Sequence, residues 1–422
     1  MLTTIESVLS VFPQTAAVVD GELSVGGVRA SDLAAEFGTP LVVYCERTIL
    51  EASRAYREAA PDALPLYSLK AFPNVELLRL LAAEGFGVDV STLGELEFAR
   101  RAGIPGGRIV VHGNNKSDEE LRAAAEADVR FVVLDALDEA GRAAAAGVRR
   151  VLVRVTPGID ADTHEKIRTA HHGSKFGLPP DDALAAAAVA REAGLEVAGV
   201  HLHIGSQLVD PRAGLETIDW LKDFAAREWV PEVVDLGGGL GIPYVEGERP
   251  PAIREFVAAL LDRLADGWPG EPPRLILEPG RSLVGSSGLT LYSVGVVKRA
   301  SDEVTYVAVD GGMSDNPRPQ LYGARYSALL ANRADEQPAR AYDICGKHCE
   351  SGDVLIEGVR LPEPRRGDLL AVPATGAYTL SMGSNYNAVP RPAAVLVADG
   401  QARVIRTRES LDDLFRHEQA SG

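Results

Sequence analysis

From Leu64 to Gly280 the chain repeats one pattern about eight times: a short apolar, strand-like run followed by an alanine- and leucine-rich segment of helical composition. The runs fall at Leu64 to Ala71, Gly85 to Ser91, Arg108 to Gly113, Arg130 to Asp135, Arg150 to Pro157, Val197 to Ile204, Glu232 to Gly238 and Arg274 to Gly280. Alternation of this kind predicts parallel strands joined by helical crossovers. Eight such units in roughly 220 residues suit a TIM-like (β/α)₈ barrel, with an open doubly wound sheet as the alternative. Ala185 to Ala188 would be low complexity elsewhere; here a crossover helix is required, and alanine is the strongest helix former.

After Arg281 the texture changes. Leu289 to Lys298, Val304 to Val309, Asp368 to Val372, Ala393 to Ala398 and Ala402 to Arg406 read as strands separated by Gly, Pro and Asp turns. Near the start, Ala16 to Val19 and Leu23 to Val25 flank Asp20-Gly21-Glu22 like the arms of a hairpin. The expected division is a barrel over residues 35–282, with 1–34 and 283–422 forming a mainly β sandwich or barrel that completes the active site.

Sixty acidic against 43 basic residues give a net charge of -17, which argues against a general attraction to nucleic acid or to an anionic membrane. An anionic ligand must then be met by local positive groups. No stretch approaches the roughly 20 apolar residues of a membrane helix, and the N-terminus lacks the pattern of a secretory signal, so a cytoplasmic protein is expected. Three cysteines, Cys45, Cys345 and Cys349, fit a reduced compartment better than a disulfide scaffold.

Lys70 closes the first strand-like run. A lysine at a barrel mouth in an apolar stretch can become a nucleophilic amine through desolvation, although alone it would read as a surface residue. Asp235-Leu236-Gly237-Gly238-Gly239-Leu240-Gly241 follows the seventh run and offers bare backbone N–H groups to an anion, or simply makes a tight turn. Glu278 ends the eighth run, where it could pair with Arg281 or hydrogen-bond a protonated heterocyclic nitrogen. Active sites of such barrels lie at the strand ends, with phosphate commonly held after strands seven and eight. Lysine, cradle and acid in that order favour pyridoxal phosphate, whose ring needs a carboxylate at its nitrogen to act as a full electron sink.

His201 and His203 are two apart on a predicted strand and so share a face. No matching carboxylate set accompanies them, so no metal is expected, and an imidazole stacked on a cofactor ring is preferred for His203. Ser206 could donate to phosphate. Cys349 is either a buried structural thiol or an acid able to deliver a proton near the reacting carbon.

These residues resemble the fold-type III pyridoxal-phosphate decarboxylases, whose barrel is alanine-racemase-like, and among them the diaminopimelate decarboxylases. The similarity runs from about Pro40 to about Pro392. Its most specific pieces are Thr163-His164-Glu165 with Ser174-Lys175-Phe176-Gly177, His201 to Gln207, Glu278-Pro279-Gly280-Arg281, Arg318 to Gly323, His348 to Asp353, and Gly376-Ala377-Tyr378 with Ser384 to Asn387. The resemblance implies that Lys70 carries the cofactor covalently, His203 stacks on its ring, Glu278 holds its nitrogen and Asp89 lines its pocket. Ser206, Gly238, Gly239, the backbone around Gly280, and Tyr378 would bind phosphate. Arg281, Arg318 and Tyr322 would grip the carboxylate at the substrate's non-reacting end, Glu350 the ammonium beside it, and Cys349 would return a proton to Cα. Paired guanidinium donors suit a carboxylate.

The implied reaction converts meso-2,6-diaminopimelate to L-lysine and CO2, the last step of lysine biosynthesis, in a homodimer whose Cys349 to Asp353 segment completes the partner's site. Gln320 and Gly383 depart from the family pattern at variable places. The rivals are a decarboxylase of a related diamino acid in a siderophore or antibiotic pathway, and a non-catalytic pyridoxal-phosphate carrier. Ornithine or lysine would leave the substrate-gripping arginines without an anion, and the Cys349 to Asp353 segment resembles the decarboxylases rather than the racemases. The stretch 160–177 reads as a lid, since long loops often carry function.

Overall fold

The computed structural model describes residues 5–158 and 174–419, which leaves Thr163-His164-Glu165 and most of the expected lid outside the described residues. The chain divides into two compact units, residues 52–241 with 250–282, and residues 1–51 with 242–249 and 283–422. Residues 35–51, assigned to the barrel from sequence, group with the second of these.

The first unit is a closed, all-parallel barrel of eight strands. In chain order they are Leu64–Ser68, Gly87–Val90, Ile109–Val111, Phe131–Leu134, Arg150–Arg154, Glu196–His201, Val233–Asp235 and Arg274–Leu277. Each pairs in parallel with the next, and the eighth closes on the first through Ile276 and Leu64. Leu66, Val110, Phe131, Val133, Leu152, Ala198, Val233 and Ile276 make one buried cluster drawn from seven of the strands. A packed barrel interior of this kind leaves function to the strand ends.

Several loops at those ends finish on a helix cap. Asn74 accepts from Leu77 N–H at the head of Val75–Ala83, and Thr92 from Glu95 N–H at the head of Leu93–Ala102. Ser117 and Glu120 form a reciprocal capping box on Asp118–Glu126. Each cap satisfies backbone donors that a helix start leaves open, a contribution of about 1 kcal/mol apiece. They also fix where each strand-to-helix loop must end, and so hold the loops that carry the polar site. The alanine tract Ala185 to Ala188 lies inside the helix Pro180–Glu192, as its composition predicts.

The other unit is built on sheet. Its main path runs Val354–Leu361, Arg340–Cys345, Thr305–Val309, Gly288–Arg299, Leu41–Cys45, Ala393–Ala398 and Gln401–Arg406. Leu369–Pro373 pairs with Gly288–Arg299 and with Leu329–Leu330. Leu41–Cys45 lies centrally, antiparallel to Gly288–Arg299 and parallel to Ala393–Ala398, and all five of its residues are buried. The early hairpin is present: Ala17–Val19 pairs with Glu22–Val25, and Asp20 and Gly21 both take positive φ, as a tight two-residue turn requires. Among the described residues no helix is long and apolar enough to cross a membrane.

Candidate active site

Lys70 sits in a single 3₁₀ turn, Leu69–Ala71, directly after the first barrel strand. Leu69 and Ala71 are buried while Lys70 is exposed. Its surroundings are nonetheless polar and specific, since its charge acts on Asp89, Glu95 and His203. Asp89, on the second strand, is buried and accepts from Ser68 Oγ at 2.7 Å. Burial, followed by the charge of Glu278, raises its pKa.

The centre of the site is Glu278, one residue past the eighth strand and buried. Its Oε1 lies 2.6 Å from His112 Nε2, and its Oε2 lies 3.4 Å from His201 Nε2. Burial disfavours the Glu278 charge, but the two imidazoles outweigh it and hold the carboxyl well below its ordinary range. Asp235, at the end of the seventh strand and fully buried, is pushed well above the usual carboxyl range by burial and then by Glu278. One of several neighbouring carboxyls thus keeps the charge, the arrangement expected where like charges cannot all ionise together. His201 is driven down to about 3 by burial, and burial together with Lys70 and Arg154 also lowers His203, so both rings are neutral near pH 7. Their planes are 10° apart with centroids at 6.5 Å, which agrees with a shared face.

Several of these buried atoms have no in-line hydrogen-bond partner: His112 Nε2, both ring nitrogens of His201, Asp235 Oδ2 and Glu278 Oε1. Unsatisfied buried polar groups are costly, and a cluster of them marks a place where a polar ligand group belongs. His112, His201, Asp235 and Glu278 also place one potential metal ligand each within 4.8 Å of one another, a grouping that the sequence did not assemble. Two ligands of a tetrahedral cation lie about 3.3 Å apart. The 2.6 Å separation of His112 Nε2 and Glu278 Oε1 is shorter than that, so this pair as placed does not span a tetrahedral cation.

The glycines form a surface where backbone meets backbone. A Cβ on Gly238 would lie 2.4 Å from the Glu278 carbonyl oxygen, and Gly239 has φ +121°, so neither position takes a side chain without displacement. Gly238 N–H faces His203 Nδ1 at 3.5 Å. Arg281 donates from Nη2 to Ser206 Oγ at 2.9 Å, joining two residues that the sequence nominated separately. Gly280 packs against Ser68 and Ala71, beside Lys70. In the barrel unit, then, Lys70, Asp89, His203, Ser206, Gly238, Gly239, Glu278, Gly280 and Arg281 all occupy strand ends or the loops that follow them. Sequence reasoning passed over His112, Asp235 and Arg154. Each ends or follows an observed strand but lies inside the longer run read from sequence, so the run boundaries did not single it out.

In the sheet unit Arg318 opens the short helix Arg318–Tyr322 and is buried. Its Nη1 donates to Tyr326 Oη at 2.5 Å, and its guanidinium lies 4.4 Å over the Tyr244 ring. Burial opposes its charge, but Tyr244 and Tyr326 more than offset this and its pKa is raised. Tyr322 is half-buried at the other end of the helix. Gln320, a departure from the family pattern, ties this helix to the next segment through Nε2 donation to the carbonyls of Gly352 and Val354. That segment is organised by Asp353, whose buried carboxylate accepts from Met313 N–H at 2.7 Å and His348 N–H at 2.9 Å. It presents Cys349 and Glu350 as exposed residues, so the buried-thiol reading of Cys349 does not hold within this chain. Tyr378 has φ +59° and is half-buried.

A closed parallel barrel with a buried ionised acid, a glycine turn and a strand-end lysine defines the class: residues 46–285 match the family model described as the pyridoxal binding domain of pyridoxal-dependent decarboxylases. The diaminopimelate decarboxylase of Actinosynnema pretiosum subsp. auranticum is 45% identical over 411 residues, covering 94% of this chain and 93% of that one. That of Bacillus subtilis (strain 168) is 41% identical over 419 residues, covering 94% and 95%. The crystal structure of the M. jannaschii diaminopimelate decarboxylase in co-complex with L-lysine is similar at 34% identity and a TM-score of 0.90, covering 97% of this chain and 98% of that one. The chain belongs to the diaminopimelate decarboxylases, within the pyridoxal-dependent decarboxylase family.

Proposed function

We propose that the protein decarboxylates meso-2,6-diaminopimelate to L-lysine and CO2 with pyridoxal 5'-phosphate as cofactor. The observation that carries the reading is Glu278, held ionised between His112 and His201 at the end of the barrel near Lys70. The unsatisfied polar atoms around it and the side-chain-free surface at Gly238 and Gly239 fit a flat, anionic, nitrogen-containing cofactor.

When bound, pyridoxal phosphate supplies a sink for the electron pair left on Cα as CO2 departs. Lys70 would contribute the amine that anchors the cofactor. Glu278 would hold the ring nitrogen, His203 would lie against the ring, and Asp89 would line the pocket. Backbone N–H groups at Gly238, Gly239 and Gly280, with Ser206 and Tyr378, would hold its phosphate. Arg281, Arg318 and Tyr322 orient the distant carboxylate and Glu350 the ammonium next to it, so that binding energy at one end places the bond to be broken at the other. Cys349 returns a proton to Cα. Because Cys349 and Glu350 are exposed within one chain, a homodimer in which their segment serves the partner's site accounts for their position. The cytoplasm is the compartment that suits such an enzyme.

The test is to add meso-diaminopimelate to the pyridoxal-phosphate-loaded protein and measure CO2 and L-lysine, with Lys70→Ala, Cys349→Ala and L-ornithine as comparisons. Lysine formation that Lys70→Ala abolishes supports the reading. An intact cofactor spectrum without turnover would point to a diamino acid of a secondary pathway or to a carrier.

A further inference from the structure

The cofactor-facing residues leave the ends of the third, fourth and fifth strands unused, and of these the third lies against Glu278. His112, directly after the third barrel strand, is buried and approaches no substrate group in the proposed reaction. Its Nε2 lies 2.6 Å from Glu278 Oε1, and its ring meets His201 edge-on, with centroids 4.8 Å apart and planes at 67°. The two atoms stand within hydrogen-bonding distance although the ring N–H is not in line with Oε1, so a small rotation of either side chain completes the bond. Every other strand end packed against Glu278 either competes for its proton or stands further away. Asp89 faces it from the second strand and Asp235 from the seventh, both carboxyls, while Arg154 from the fifth acts on it at longer range. His201, from the sixth, is at 3.4 Å.

We propose that His112 is the positioning residue for Glu278: its Nε2–H engages Oε1, orients the carboxylate and fixes the negative charge on Glu278 rather than on Asp89 or Asp235. The inference rests on the reading that Glu278 serves the cofactor's ring nitrogen. Charge held at Glu278 stabilises a proton on that nitrogen; charge relocated to Asp235 or Asp89 would not. The directions of the carboxyl shifts agree, with Glu278 lowered and its two neighbours raised.

The experiment uses the holoenzyme loaded with pyridoxal phosphate labelled with ¹⁵N in the ring, and reads the ¹⁵N chemical shift, which reports ring protonation directly, alongside steady-state kinetics. His112→Phe keeps a ring of similar volume and removes the donor; His112→Gln keeps an N–H. In His112→Phe the ¹⁵N signal should move toward the unprotonated position, with kcat down about ten- to a hundredfold, the worth of one hydrogen bond to a charged group, and KM nearly unchanged. His112→Gln should restore the wild-type signal in large part. If His112→Phe does not fold, His112→Asn, whose amide stops short of Oε1, is read in the same way. Glu278→Gln separates the two levels. Should it leave the ¹⁵N shift unmoved, the underlying reading of Glu278 fails; should it move the shift while the foldable His112 variant does not, the role given to His112 is overturned alone.

Discussion

Tyr386 donates from Oη to Glu350 Oε1 at 2.7 Å, so the acid assigned to the substrate ammonium is held by a phenol 36 residues further along the chain. Both side chains are exposed, and the contact therefore serves placement more than stability. Tyr386→Phe should raise KM for meso-diaminopimelate by about two- to tenfold, the range of one ordinary hydrogen bond, with kcat little changed. Steady-state kinetics check it; an unaltered KM would show that Glu350 needs no such support.

Arg318 is buried against Tyr244 and Tyr326, and it is a guanidinium rather than an ammonium that this stacked, hydrogen-bonded setting accommodates. Arg318→Lys should keep the charge yet lose the stacking and the paired donors, raising KM by about ten- to a hundredfold. The ¹⁵N signal and the cofactor spectrum should stay as in the wild type, because the change is confined to substrate binding.

Gly238→Ala would set a methyl 2.4 Å from the Glu278 carbonyl, a clash between two loops that neither can escape through side-chain rotation. We expect a loss of about 1–3 kcal/mol in stability, as for other overpacked sites, together with weaker pyridoxal phosphate binding. Thermal melting of the apoprotein and cofactor titration measure the two effects separately.

Asp315 is buried, shares a hydrogen bond with Tyr292 Oη and accepts from Gly312 N–H. Burial is the main cause that lifts its pKa from 3.8 to about 7. Between those values the folded protein keeps a proton that the unfolded chain has released, so this group's contribution to stability falls as pH rises through the window. Asp315→Asn imitates the protonated acid and should flatten that dependence. Melting temperatures of both proteins from about pH 5 to about pH 8 test it; parallel curves would mean that Asp315 does not titrate there.

The barrel was legible because each strand-plus-helix unit announces itself locally, through an apolar run followed by a segment of helical composition. Lys70, the glycine turn and Glu278 were legible because they stand at the ends of such runs in an order that suits one cofactor. The Leu41–Cys45 segment was not. Its five buried apolar residues would suit any central strand, and only its partners Gly288–Arg299 and Ala393–Ala398 assign it to the sheet unit.

By itself, then, the sequence determined the repeating strand–helix order, the eight strand ends and the residue types they carry, since propensity, periodicity and caps act over a few residues. Tertiary structure alone decided which ends converge. Closing the barrel brings Asp89, His112, His201, Asp235 and Glu278, from strands far apart in the chain, into one buried cluster. Charge is placed there by burial and by distances of a few ångströms, quantities that no single strand contains. A Glu278 carboxyl held below its ordinary range beside an Asp235 held above it is therefore a property of the closed barrel and not of either residue's local sequence.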